Sequence, residues 1–205
     1  DKGIWTAKKR YILNVHNSEG VQFAEPKIKV MGLEMVKSST PQVIRDKLKS
    51  SIKVILDGDQ KKLHKFIEEF RNEFNQLSVE DIAFPRSVNG TREYAASSTI
   101  YRKSTPIHVR GALLFNHHVK TLGLEKQYQP IRDGDKIKFV YLRTPNIIQE
   151  DVISFAQELP KELDLHRFID YEKQFEKVFL DALQIVIEPL GWHVEEKSSL
   201  EDFFG

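Results

Sequence analysis

Ala7-Lys8-Lys9-Arg10-Tyr11-Ile12-Leu13-Asn14-Val15 sets three cations and an aromatic directly ahead of a strand pattern. Tyr11, Leu13 and Val15 alternate with Arg10, Ile12 and Asn14, the period of two that places successive side chains on opposite faces of a sheet. Glu19-Gly20 supplies a turn, and the run from Val21 to Val30 gives a second extended segment carrying Lys27 and Lys29. The spacing therefore predicts a cationic β-hairpin that ends near Gly32 and holds several positive charges on a rigid frame. A polyanion such as a nucleic-acid backbone needs that kind of support. The same pattern also fits a solvated basic strand edge that resists aggregation.

Helices follow. Ser38-Ser39-Thr40-Pro41 announces one, with Thr40 as the expected N-cap and Pro41 at the first helical position. Ile44, Leu48, Ile52 and Ile55 recur on one face. Gly58 is the expected stop and Asp59 the cap of a second helix, whose stripe is Leu63, Phe66, Ile67, Phe70, Phe74 and Leu77. An aromatic stripe at this spacing is core rather than a cofactor box. Residues 79–143 read as irregular and strand-rich, with strands expected at Ile107 to Asn116 and, after the Asp133-Gly134-Asp135 turn, at Lys136 to Leu142. The polar residues 86–106 read as a long loop. A last helix is expected from about His166 to Glu188, ended by Pro189 and Gly191. The sum is an α+β fold: a leading antiparallel hairpin, a mainly helical body and a small β substructure.

Composition narrows the function classes. The 205 residues include 13 Phe and no Cys, so disulfides and thiolate metal sites are excluded. No apolar stretch approaches the roughly 20 residues a membrane helix requires. The net charge of +1 conceals segregation. Residues 1–53 hold 11 Lys/Arg against 5 Asp/Glu, and residues 86–143 hold 11 against 4. Residues 54–85 hold 4 against 7, and residues 144–205 hold 5 against 14. Two basic blocks separated by an acidic one are suited to line a groove for an anionic polymer.

Catalytic signals are missing: there is no metalloprotease helix motif, P-loop or nucleophile elbow. No pair of Asp residues stands out for a two-metal site, and His117-His118 on a strand would point to opposite faces. Candidate nucleic-acid contacts are Lys8, Lys9, Arg10 and Tyr11, the helix start Lys37-Ser38-Ser39-Thr40, and the strand pair His108 and Arg110 beside Gly111. An ordinary capped helix start equally explains the second group.

The order of these motifs resembles the C-terminal part of family B replicative DNA polymerases of T-even-type bacteriophages. The matching stretches are residues 7–15, Ala24 to Glu34, Lys37 to Pro41, Ile107-His108-Val109-Arg110-Gly111 and Lys197 to Gly205. The resemblance implies that residues 1–36 are the last β-hairpin of a palm, residues 37–192 a thumb and residues 193–205 a flexible tail. It implies that Lys8 and Lys9 touch the primer strand near its 3′ end, that Lys37 approaches the same region, and that the thumb grips the product duplex. Leu200, Phe203 and Phe204 would then dock on a sliding clamp, or else pack onto the thumb itself. Palm carboxylates, and the Mg²⁺ they hold in a complete polymerase, would precede residue 1, so the chain carries no cofactor of its own. It would be an excised piece or the smaller product of a split polymerase, inactive alone, partnered by the N-terminal catalytic part in the cytoplasm of an infected bacterium. The alternative is a protein-interaction subunit that tethers a separate catalytic chain to the clamp. An independent nuclease or transferase is disfavoured by the missing carboxylate set.

Overall fold

A computed structural model of the chain describes residues 2–8, 10–18 and 21–195. In chain order the strands are β1 (Lys2–Ala7), β2 (Arg10–Ser18), β3 (Val21–Met31), β4 (Phe84–Ser87), β5 (Ala95–Ala96), β6 (Ile100–Tyr101), β7 (Lys136–Tyr141) and β8 (Val152–Phe155). The α-helices are α1 (Gln42–Leu56), α2 (Gln60–Phe74), α3 (Val79–Ile82), α4 (Thr91–Tyr94), α5 (Ile107–Thr121), α6 (Tyr171–Phe175) and α7 (Asp181–Ile187). The α+β class expected from the sequence is the one observed. The described residues form two compact units, those up to Asn75 with 175–195, and 76–174.

In the first unit the expected hairpin gains a third strand. β1, β2 and β3 form an antiparallel sheet in that order, with Ile4, Ile12 and Val30 in one register row and Trp5, Tyr11 and Met31 in the next. Gly3-Ile4-Trp5 lies outside the alternating run that announced β2, which is why β1 was not expected. Ile4 and Ile12 are buried. α1 and α2 form the expected helical hairpin, with Gly58 at φ +75° between them and the Asp59 carboxylate accepting from the Lys62 N–H at 3.2 Å. The α1 cap differs. Pro41, not Thr40, occupies the N-cap position, and the buried Thr40 hydroxyl donates instead to Glu34 Oε2 at 3.2 Å. Pro41 has no N–H to satisfy and a fixed φ, so it opens the helix without a side-chain cap.

The apolar stripes then meet. Ile44, Leu48, Ile52 and Ile55 of α1 and Leu63, Ile67, Phe70 and Phe74 of α2 are all buried. Phe70 and Phe74 pack against Phe175 and Phe179 with ring centroids 4.8–6.0 Å apart, mostly edge-to-face. Each such ring contributes its apolar area and a further ~0.5–1.5 kcal/mol from aromatic pair geometry. The last helical stretch begins later than the sequence suggests. His166–Phe168 is an isolated 3₁₀ turn, α6 starts at Tyr171, and a π-helical turn, Glu176–Leu180, leads into α7.

The second unit contains the largest correction. Ile107 to Asn116 is not a strand but the body of α5, which continues to Thr121. The run Gly111-Ala112-Leu113-Leu114-Phe115 is buried throughout, and periodicity cannot separate a fully buried helix from a buried strand. The helix signal that the sequence does carry is Pro106, which occupies the N-cap. The sheet is instead β4-β7-β8, antiparallel, with the expected Lys136 strand at its centre. α5 lies on β8 through Gly111: a Cβ there would sit 2.3 Å from Ser154 Oγ and 2.8 Å from Ser154 N. Ser154 Oγ in turn donates to the His108 carbonyl at 2.9 Å. The fully buried Gln174 amide donates to the Ile82 carbonyl at 2.7 Å and accepts from the Tyr141 N–H at 3.2 Å.

Residues 86–106 are not a bare loop. They hold the end of β4, the single turn α4 and the small β5–β6 hairpin, where Ala95 pairs with Tyr101 and Ala96 with Ile100.

Candidate nucleic-acid interface

Strand register decides where the first motif goes. Ala7 pairs with Arg10 and Tyr11 pairs with Met31, so the β1–β2 turn and the exit from β3 lie at the same end of the sheet. Lys8 is exposed in that turn and Arg10 is exposed at the start of β2, while Tyr11 is half-buried. Lys9 lies outside the described residues. From the same end the chain leaves β3 through Gly32 and a 3₁₀ turn, Glu34–Val36, to reach Lys37. The two motif segments that sequence placed 26 residues apart are thus delivered by topology to one end of the sheet.

At the second segment Glu34 is the organising group. Its carboxylate pairs with Lys37 Nζ at 2.5 Å and accepts from Thr40. Lys37 and Glu34 are about one-third exposed, so the pair contributes on the order of 0–1 kcal/mol. Ser38 is exposed and Ser39 half-buried. Thr40, buried and committed to Glu34, positions the turn and offers no hydroxyl to solvent.

The His108–Arg110 pair does not form as expected. On a strand these residues share a face; on α5 their spacing turns them about 200° apart. The half-buried His108 has its pKa lowered by burial and by the nearby Arg86 charge. Arg110 is engaged internally, with Nη1 3.4 Å from Glu150 Oε2 and Nη2 2.8 Å from Asp151 Oδ1. Its guanidinium also lies 5.7 Å from the Tyr101 ring centre. Burial works against its charge, but Tyr101, Asp151 and Glu150 more than offset this and hold it protonated. Gly111 permits a close backbone approach as expected, but the backbone that approaches is β8.

The exposed cations of the second unit lie elsewhere, at Arg92, Arg102, Lys103, Lys120, Lys126 and Lys136 among others. Arg102 and Lys103 follow directly on β6. The Arg102-Lys103 pair inside a Ser/Thr-rich stretch was the available sequence signal. His117 and His118, adjacent on α5, meet edge-to-face at 5.1 Å. Burial and then His117 lower the His118 pKa.

Among the described residues no three His, Asp or Glu side chains gather into a group that could hold a metal ion. Nor is any described helix long and apolar enough to cross a membrane. The tail residues Leu200, Phe203 and Phe204 lie outside the described residues. Its root is described: His64 Nε2 donates to the His193 carbonyl at 2.8 Å, and the Gln184 amide bonds both Trp192 O and Val194 N at 3.1 Å.

No family model matches the chain. Individual proteins do, and they are of one class: DNA-directed DNA polymerases of T-even-type phages. The chain is 36% identical over 207 aligned residues to the DNA-directed DNA polymerase of Enterobacteria phage T4, an alignment that covers 99% of this chain. It is 35% identical over 207 residues to the DNA-directed DNA polymerase of Escherichia phage RB69, covering 98% of this chain. In each case the chain spans 22% of the relative's length. The resemblance read from motif order is therefore borne out as sequence similarity along nearly the whole chain.

Proposed function

We propose that this chain is the palm-end and thumb portion of a phage-type family B DNA polymerase, and that it grips the primer–template duplex without being catalytic alone. The observation that carries this reading is the delivery of Lys8, Arg10 and Lys37 to one end of the three-stranded sheet. Lys8, with Lys9 beside it in sequence, contacts the primer strand near its 3′ end, and Lys37 contacts the same region. The weak Glu34 pair exchanges for phosphate on binding. The exposed cations of the second unit contact the duplex backbone further along. Leu200, Phe203 and Phe204 place apolar side chains on an acidic tail and dock on a sliding clamp. The segment just before that tail is held by His64 at the His193 carbonyl and by Gln184 at the Trp192 carbonyl.

One feature favours a second role, docking of the catalytic part. Ile4 and Ile12 face the core, whereas Trp5 on the opposite register row is 63% exposed, with Tyr11 and Leu13 half-buried beside it. Gly3 makes room for this layer: a Cβ there would lie 2.7 Å from Leu13 and 2.8 Å from the Trp5 ring. An open aromatic face of this kind suits burial against another part of a polymerase.

The DNA reading is tested by titrating primer–template DNA at two salt concentrations with the chain and with Lys8→Ala/Lys9→Ala. Binding that weakens with salt and weakens again in the variant is expected. Salt-insensitive binding, or indifference to the variant, refutes it. The tail reading fails if deleting Leu200 to Gly205 leaves clamp binding unchanged.

A further inference from the structure

Arg110 is spent inside the protein, and what it holds is the β5–β6 hairpin. The Tyr101 hydroxyl, on β6, donates to Glu150 Oε1 at 2.7 Å, and Arg110 lies over the Tyr101 ring while pairing with Glu150 and Asp151. Burial, then the Glu150 hydrogen bond, raises the Tyr101 pKa, so the phenol stays a donor. The turn α4 that leads into the hairpin is fixed as well, by the Asp133 carboxylate accepting from the Thr91 N–H at 2.8 Å. Between the two fixtures, Ile100 adopts φ +68°, a left-handed conformation that β-branched residues avoid. Such strain persists only where the surroundings over-determine it. Immediately after it the chain exposes Arg102 and Lys103, whose side chains make no ion pair among the described residues. The turn behind them is closed by Thr105, which donates its N–H and hydroxyl to the Arg102 carbonyl.

We propose that Tyr101, Arg110 and Glu150 are positioning residues that present Arg102 and Lys103 to phosphates of the bound duplex, an inference that rests on the DNA-gripping reading. Without the cluster the hairpin has a two-residue ladder and one further backbone bond, from the Arg102 N–H to the Tyr94 carbonyl at 2.9 Å, and so short a ribbon is marginal by itself. Arg110 supplies a fixed charge under the ring, Glu150 accepts from the phenol, and the two cations downstream are held at one place and angle. The cost of ordering two long side chains on binding falls accordingly.

The test is a double-mutant cycle on the full chain, reading duplex DNA affinity across a salt series. Arg102→Gln/Lys103→Gln is expected to flatten the slope of log K against log salt by about 1.8, from roughly 0.9 per phosphate contact. Tyr101→Phe, which deletes one hydroxyl and leaves the ring over Arg110, is expected to weaken binding about tenfold, the scale of a hydrogen bond to a charged group. In the Arg102→Gln/Lys103→Gln background, Tyr101→Phe is expected to have no further effect. A purely structural role for Tyr101 gives the same loss in both backgrounds, and that additivity overturns the inference, as does a Tyr101→Phe chain that binds like the parent. Glu150→Gln provides the second variant and follows the same pattern. If the parent chain itself shows no salt-dependent binding, the DNA-gripping reading fails before any variant is compared. If the parent binds and only the coupling is absent, the positioning cluster alone is refuted.

Discussion

Inside each of the two compact units a different kind of contact stands out. The first relies on stripes: Phe70 and Phe74 from one helix, Phe175 and Phe179 from a segment a hundred residues away in the chain, each repeated at helical spacing. The second buries an apolar core too, Phe115, Phe139 and Phe155 among it, and pins it at single points: Gly111 under Ser154, the Gln174 amide between Ile82 and Tyr141, and Asn116, whose amide donates to the Ile131 carbonyl at 2.8 Å and accepts from its N–H at 2.7 Å. A stripe shares its energy among many neighbours. A point contact concentrates it in one atom pair, where a single methyl group is felt.

The contrast can be broken most sharply in the stripe. Phe70→Ala removes a fully buried ring that touches three other rings, and a loss of about 3–5 kcal/mol is expected. Denaturant titration measures it, and amide exchange should show the loss in residues 1–75 and 175–195 while α5 and β8 keep their protection. Gly111→Ala comes next. Its added methyl would meet Ser154 Oγ at 2.3 Å and backbone at 2.8 Å, so helix and strand must separate. A loss of about 1–3 kcal/mol is expected, this time with exchange increased in α5 and β8.

The smallest effect concerns pH. Burial and His117 lower the His118 pKa, and burial and Arg86 lower that of His108. Each imidazole then binds its proton less readily folded than unfolded. Their contribution to stability is complete above the ordinary value of 6.5 and is lost as pH falls through the lowered folded value. His118→Gln should therefore make stability less sensitive to pH below 6.5, as measured by thermal unfolding at a series of pH values.

The same contrast explains what the sequence made legible. β2, β3, α1, α2 and β7 announce themselves because their apolar positions recur with one period and their ends carry Gly58, Asp59 or Asp133-Gly134. α5 hides because it is apolar nearly all round, so its period is blurred and only Pro106 marks its start. At the candidate interface the Lys8 block and Lys37 were readable as motifs. That they share one end of the sheet was not, because the register that brings them together is a property of β1, β2 and β3 jointly. The engagement of Arg110 is hidden for a related reason. Its partners Glu150 and Asp151 lie 40 residues downstream, and nothing local to His108-Val109-Arg110-Gly111 reveals that the charge is already neutralised. Arg102 and Lys103 were passed over because they follow a hairpin of two-residue strands.

The central claim is that each unit brings cations to a bound DNA duplex, and the direct measurement is site-specific cross-linking. A primer–template carrying photoreactive groups along its backbone is bound to the chain, irradiated and mapped by mass spectrometry. The account predicts adducts at Lys8 to Arg10 and Lys37 from groups near the primer 3′ end, and at Arg102 and Lys103 from groups further along the duplex. Adducts confined to acidic stretches such as residues 144–195, or spread without regard to position on the DNA, would contradict it.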